Sequence, residues 1–276
     1  MIIQHNIAAI NSYRNLGTNQ SSLNKNLEKL SSGYRINRAG DDAAGLAISE
    51  TMRSQINGLN QSVTNANDAI GLIQTAEGAL TETHSMLQRL TTLATQSANG
   101  TYNSTARANI QIEVNRLLEE IDRIANYTDF NGIKPLQSSN TASSQMTFQI
   151  GPSAAETIKV NMSNMTTTSL GLDSSDTVDL TQLSTSNSAI DAIKDAINMV
   201  SKYRAQLGAA QNRLEHTVNN LKVTSENITA AESRIRDTDM ADEITAFTKN
   251  NILLQASQSM LAQSNSVPQS VLSLLS

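Results

Sequence analysis

Apolar residues recur along much of the chain at alternating spacings of four and three residues, and this pattern predicts three long helices. The three series cover residues 52–87, 110–124 and 190–235, and Glu77 and His84 interrupt the first. A repeat of 3.5 residues keeps one stripe facing a partner helix over many turns, as in a coiled coil. We therefore expect a mainly α fold built on an elongated antiparallel helical rod. The predicted stripe is Met52, Ile56, Leu59, Val63, Ala66, Ile70, Ile73, Leu80 and Leu87 in the first helix, Ile110, Val114, Leu117, Ile121 and Ile124 in the second, and Ile190, Ile193, Ile197, Val200, Leu207, Leu214, Val218, Leu221, Ile228 and Ile235 in the third.

Turn residues separate these helices. Asn99-Gly100 is a usual stop signal for the first helix, and Thr128–Asn140 has the composition of a loop. Met146–Ile150 and Thr157–Met162 alternate apolar and polar residues across a turn, which predicts a small β-hairpin. The Ser/Thr/Asp-rich segment Ser163–Ser188 is expected to be irregular.

The two ends of the chain form amphipathic arms, each with a single predicted apolar face. Ordering a backbone residue costs about 1–2 kcal/mol, whereas burying a large aliphatic side chain returns about 1.5–3 kcal/mol. With such a side chain at only every third or fourth position, a lone arm cannot hold its shape. We expect the arms to be largely disordered in a monomer and helical once other apolar faces surround them. The arm positions are Ile3, Ile7, Ile10, Leu23 and Leu27 at one end and Ile244, Phe247, Leu254 and Leu261 at the other.

The composition excludes several classes of function. Of the 276 residues only 3% are aromatic, and the net charge of −5 gives no reason to expect nucleic acid or an anionic membrane as partner. Without cysteine, neither disulfides nor thiolate metal sites can form. No apolar run approaches the 18 residues of a membrane span, so no membrane insertion is expected. The first residues lack the basic start and apolar stretch of a secretory signal, so export would use a route without a cleaved signal peptide.

The stretch "SSGYRINRAGDDAAGLAI", residues 31–48, is the densest cluster of charged and small residues. A phosphate loop would need the G-x-x-x-x-G-K-[ST] pattern, and a calcium loop would need ligands spread over a dozen positions. Neither is present. The preferred interpretation is that Gly40 makes a turn and that Asp41 and Asp42 lie at a helix N-terminus, where free N–H groups favour carboxylates.

No catalytic, cofactor or metal site is predicted. The three histidines, His5, His84 and His216, lie in separate segments, and no HExxH motif or Ser/His/Asp arrangement is apparent. His84 and Glu77 fall on the first predicted stripe. Each is interpreted as a polar core position that sets helix register, with His84 bonded to a facing helix.

Several long motifs, in this order, closely resemble bacterial flagellins. They are "HNIAAINS", "LEKLSSGYRINRAGDDAAGLAISETMRSQI", "GLIQTAEGALTETHSMLQRL", "LATQSANGT", "RDTDMADEI" and "VPQSVLSLL". The resemblance implies a structural subunit of the flagellar filament, secreted and not an enzyme, whose terminal helices pair in an inner domain (residues 1–43 and 236–276). Residues 44–235 would form the rod, with the hairpin region at about 141–180. Large outer domains that many flagellins insert after the hairpin are lacking.

The resemblance also implies partners. These are further copies of the chain, an export chaperone at the C-terminal arm, and the filament cap and hook-junction proteins. A host Toll-like receptor would read Arg89, Leu93 and Glu113, and cytosolic inflammasome receptors would sense Leu272, Leu274 and Leu275. Arg38, Asp41 and Asp42 would lie where subunits meet, so Arg38 would pair with an acid across that contact. The alternative interpretation is a hook–filament junction protein of related architecture.

Overall fold

The computed structural model describes residues 6–137, 145–173 and 177–275, with residues 268–275 as backbone only. The mainly α fold predicted from the sequence is confirmed, because five helices and one two-stranded sheet account for the regular structure of these residues. None of the described helices is long and apolar enough to cross a lipid bilayer. The elements are α1 (Ile7–Ser32), α2 (Ala43–Ser97), α3 (Ser104–Tyr127), β1 (Gln145–Gln149), β2 (Thr157–Asn161), α4 (Leu183–Arg236) and α5 (Met240–Leu275).

The chain divides into two compact units. Unit 1 combines the chain up to Ile56 with the chain from Glu226 onward, and unit 2 is Asn57–Ser225. These boundaries describe the single chain, whereas the predicted division at residues 43/44 and 235/236 concerns the assembled filament and stays a prediction.

The buried residues of unit 2 show that part of the predicted helix register is wrong. One stripe of α2 is as predicted, since Leu59, Ala66, Ile73, Leu80 and Leu87 are all buried. The second stripe lies one residue away from the prediction, and Val63 and Ile70 are only half-buried beside it. Small side chains fill this stripe, and they allow helices to approach closely, so hydropathy alone does not reveal it. Its buried members are Ser62, Ala69, Ala76, Thr83, Leu90 and Ser97.

The same one-residue shift occurs in the other two core helices. In α3, Leu118 and Ala125 are buried where Leu117 and Ile124 were expected. In α4, Ala189 and Ala196 are buried where Ile190 and Ile197 are predicted, and Tyr203 and Ala210 continue the shifted stripe.

The two polar residues of the first predicted stripe are therefore at its edge rather than in the core. Glu77 pairs with Arg204 at 3.5 Å, with both side chains about one-third exposed. The His84 ring nitrogen Nε2 lies 3.1 Å from Gln88 Nε2 in the same helix, so the expected bond to a facing helix is not formed.

The predicted β-hairpin is confirmed to within one residue at each strand. β1 and β2 are antiparallel, with Gln145 opposite Asn161 and Gln149 opposite Thr157. The following segment is irregular as expected, but α4 begins at Leu183 rather than near Ile190. In its first turn the Ser186 hydroxyl donates to the Gln182 carbonyl at 2.7 Å, which lets a polar sequence enter the helix. The expected irregular residues 138–140 and 174–176 lie outside the described residues.

Candidate functional site

The terminal helices α1 and α5 pack against each other, as predicted. Polar groups supply much of the contact: Asn19 Nδ2 donates to Ser257 Oγ at 2.8 Å, and Asn6 Nδ2 donates to the Ser264 carbonyl at 2.8 Å. Among the described side chains of the two helices, Leu23 is the one apolar group that is buried. The pair therefore satisfies many polar groups and buries little apolar surface.

The predicted arm residues differ in their exposure. Of the predicted arm residues, Leu23 is buried and Phe247, Leu254 and Leu261 are half-buried. The others in the described range remain exposed, and Ile3 lies outside the described residues. Those exposed are Ile7, Ile10, Leu27 and Ile244.

A second apolar surface covers the outside of the pair, and the pattern analysis missed part of it. Ile252 and Met260 are each 62% exposed, and Leu253 is also exposed. Successive residues of a helix point in different directions around its axis. The consecutive apolar residues Ile252, Leu253 and Leu254 therefore indicate that α5 is apolar on more than one side. A group of exposed apolar side chains on two paired helices is a candidate interaction site. We call it the outer arm surface: Ile7, Ile10, Tyr13 and Leu27 of α1 with Met240, Ile244, Ile252, Leu253, Met260 and Val267 of α5.

The loop before α2 uses its two carboxylates differently. Asp42 caps the helix, because its Oδ1 accepts the Gly45 N–H at 2.9 Å. Asp41 instead closes the turn by accepting the Arg38 N–H at 3.1 Å, and this hydrogen bond lowers the pKa of Asp41 below its usual value. An added Cβ at Gly45 would lie 2.4 Å from Asp42 Oδ2 and 2.8 Å from Ile36 Cδ1, so a side chain there would require the Asp42 cap and Ile36 to move.

Arg38 forms an ion pair with Glu28 of its own chain. Its Nε lies 2.8 Å from Glu28 Oε1, and the hydrogen bond and charge of Glu28 raise the pKa of the guanidinium. The Arg38 side chain remains largely exposed. A role for Arg38 in a contact between copies stays a prediction.

Two of the three predicted receptor residues meet on the surface of unit 2. Arg89 on α2 and Glu113 on α3 form an ion pair, with Nη2 2.8 Å from Oε1 and the side chains 54% and 45% exposed. Leu93 is 2% exposed and belongs to the core cluster. The predicted tail residues Leu272, Leu274 and Leu275 lie in α5, but their side chains are outside the described part. No cluster of metal-binding side chains occurs among the described residues.

Known proteins resemble the chain over its whole length. The bacterial flagellin N-terminal helical region matches residues 3–141, and the bacterial flagellin C-terminal helical region matches residues 190–275. A flagellin of Bacillus subtilis is 52% identical over 303 residues, and a flagellar filament 33 kDa core protein of Treponema phagedenis is 49% identical over 285 residues. Each alignment covers 100% of both chains.

A solved structure agrees with these matches. The crystal structure of Bacillus cereus flagellin is 32% identical, with a TM-score of 0.51, and the match covers 61% of this chain and 94% of that one. The chain therefore belongs to the bacterial flagellin family.

Proposed function

We propose that the chain polymerises by burying the outer arm surface against neighbouring copies, so that folding of the arms and assembly are coupled. The chain is a structural subunit of the extracellular flagellar filament and not an enzyme. The observation that supports the coupling is the exposure of large apolar side chains on both helices of an otherwise polar pair.

The free-energy cost of ordering the arms, compared with the gain from apolar burial, favours coupled folding. Ordering each backbone residue of an arm costs about 1–2 kcal/mol, and the α1–α5 pair buries one apolar side chain, Leu23, among the described residues of the two helices. Each residue of the outer arm surface that leaves water completely adds about 1.5–3 kcal/mol. Neighbouring copies therefore provide the apolar contacts that the pair lacks.

The proposal predicts that charges on the outer arm surface block polymerisation. In the double variant Ile252→Glu, Met260→Glu, two exposed apolar groups are replaced by carboxylates that would be buried without partners in a filament. We expect purified wild-type chain to elongate filament fragments into long filaments and this variant to add no measurable length. Electron microscopy and light scattering measure the elongation.

The matched control adds the same charges without removing apolar groups. Gln255 and Gln258 are exposed on the same helix, so Gln255→Glu, Gln258→Glu should elongate much faster than the apolar-to-charged variant. Equal elongation by the two double variants would contradict a role for the outer arm surface. If the wild-type chain adds only a few copies, the junction-protein alternative replaces the filament role.

The same surface accounts for the other proposed partners. Before assembly, the apolar side chains of α5 need cover, which suits an export chaperone bound at the C-terminal arm. At the ends of a filament the arms lack neighbours on one side, where the cap and the hook-junction proteins would bind. Export without a cleaved signal peptide belongs to the same proposal.

A second candidate function is recognition by the host Toll-like receptor for flagellin. The observation that favours it is the exposed Arg89–Glu113 pair, which places two of the implied receptor residues side by side across two helices. Leu93 would act through packing beneath them, because it is buried. Sensing of Leu272, Leu274 and Leu275 by inflammasome receptors is proposed by resemblance alone.

Reversing the charge of Arg89 tests this second function. An interface arginine that acts as a binding hot spot is worth about 2 kcal/mol or more, so Arg89→Glu should reduce signalling of the monomer in reporter cells more than about tenfold. The control is Arg116→Glu, since Arg116 is an exposed arginine in an ion pair with Glu119 on α3. Equal signalling by the two variants would refute the assignment. Leu93→Ala is unsuitable as a contact test, because emptying a buried leucine site destabilises a domain by about 2–5 kcal/mol.

A further inference from the structure

Two short segments next to the terminal helices are held together by backbone hydrogen bonds. The Arg35 N–H donates to the Arg236 carbonyl at 2.7 Å, and the Thr238 N–H donates to the Gly33 carbonyl at 3.0 Å. Tyr34 and Asp237 form an isolated antiparallel bridge between these bonds. We call the two segments, residues 33–35 and 235–238, the linker bridge.

The Arg236 side chain reinforces the linker bridge from one side. Its guanidinium carbon lies 4.7 Å from the centroid of the Tyr34 ring, and its Nη1 lies 2.7 Å from Glu50 Oε1 on α2. Nη1 is also 3.4 Å from Ser49 Oγ, and the Arg236 side chain is only 12% exposed. One planar cation therefore stacks on an aromatic ring and forms an ion pair at the same time, which a lysine cannot reproduce.

The linker bridge lies at the ends of both arms. α1 ends at Ser32, and Gly33 takes the left-handed conformation that closes the helix, with φ of 74°. α5 begins at Met240, three residues after Asp237. Whatever holds the linker bridge closed therefore fixes where α1 ends and α5 starts.

The contact between α1 and α5 by itself sets their register only weakly. Coiled coils hold register through large buried side chains and specific polar pairs. Among the described side chains of α1 and α5, Leu23 is the one buried apolar residue. The specific polar pairs are only partly buried: Asn19 Nδ2 donates to Ser257 Oγ, and Lys29 Nζ lies 3.8 Å from Glu243 Oε2. The linker bridge adds a fixed point where α1 ends and α5 begins.

We propose that Arg236 is a positioning residue for filament assembly: it holds the linker bridge closed and so presents α1 and α5 to neighbouring copies in one register. This inference rests on the proposed function, because register matters only if the outer arm surface must match the surfaces of neighbours. Within a single chain, no neighbouring surface has to be matched.

Arg236→Ala tests the proposal in the full-length chain. Elongation of wild-type filament fragments should slow about tenfold or more, because a stacked cation and a charge-assisted hydrogen bond are lost together. Arg236→Lys should recover part of the rate through its charge. The control Arg234→Ala removes an exposed arginine from the same helix end and should elongate at the wild-type rate. Circular dichroism should give the same helix content for all monomers.

A disulfide across the linker bridge provides a rescue. Opposed residues of an antiparallel bridge have Cα atoms about 4.5–5.5 Å apart, which suits a disulfide, and the chain has no cysteine of its own. In the Arg236→Ala chain, Tyr34→Cys, Asp237→Cys should restore elongation when oxidised and lose it again when reduced. This rescue reports on the linker bridge even if Arg236→Ala weakens unit 1.

The outcomes separate the inference from the proposed function. Elongation of Arg236→Ala at the wild-type rate, or no gain on oxidation of the confirmed disulfide, overturns the positioning role alone. Failure of the wild-type chain itself to elongate the fragments overturns the filament proposal and the inference with it.

Discussion

Removing residues Ile244–Ser276 should abolish polymerisation and leave a monomer whose unit 2 remains folded. The deletion takes away nearly all of α5, including Ile252, Leu253 and Met260 of the outer arm surface. It also leaves α1 without its partner helix, so Leu23 returns to water. Since most helical stability in proteins comes from tertiary packing, α1 should form no stable helix in the truncated chain.

The deletion should hardly affect unit 2. Its core is made by α2, α3, α4 and the hairpin, and the buried residues Leu80, Leu87, Ile193 and Leu207 belong to it. Sedimentation should show a monomer, circular dichroism should show that the helices of unit 2 are retained, and the thermal midpoint of unit 2 should match that of the full-length chain. Filaments formed by the truncated chain, seen by electron microscopy, would contradict the assembly account.

Much of the fold could be predicted from the sequence, because helix periodicity and turn residues depend on residues that are close together in the chain. The stripe through Leu59, Ala66 and Ile73, the helix end near Asn99-Gly100 and the hairpin all follow from spacing and turn chemistry. The second stripe could not be found in this way. At Ser62 and Ala69 a small side chain is buried, whereas hydropathy favours the larger neighbours Val63 and Ile70.

The arms show a different limit of sequence reasoning. A four-three pattern assigns each helix one face, which suits a helix with one partner. α5 has a partner on one side and apolar residues elsewhere, as Ile252 and Met260 show. Such a helix can pack against more than one neighbour, and an analysis that follows a single stripe leaves out residues such as Ile252 and Met260.

The site residues depended on tertiary structure to different degrees. Asp42 could be placed at a helix start from local sequence, whereas the pairing of Arg38 with Glu28 required the return of the chain past α1. The meeting of Arg89 and Glu113 depends on the packing of α2 on α3. Arg236 was not singled out, because its partners Tyr34 and Glu50 lie about two hundred residues away in the sequence.

Coupling of arm folding to assembly predicts a large difference in amide hydrogen exchange between the monomer and the filament. Amides of α1 and α5 open with a free energy set by the contacts that hold them, and the outer arm surface of a monomer lacks those contacts. Amides of the buried part of α2, such as those of Leu80 and Leu87, are held by the core of unit 2 in both states.

Hydrogen exchange of the same chain, first as a dilute monomer and then in filaments, is therefore the most direct measurement. We expect α1 and α5 amides to exchange in the monomer at least ~100-fold faster than the amides of Leu80 and Leu87, and to become as slow as those amides in the filament. Arms that are already as protected as the unit 2 core in the dilute monomer would show that the terminal helices fold without neighbours, and the central claim would be wrong.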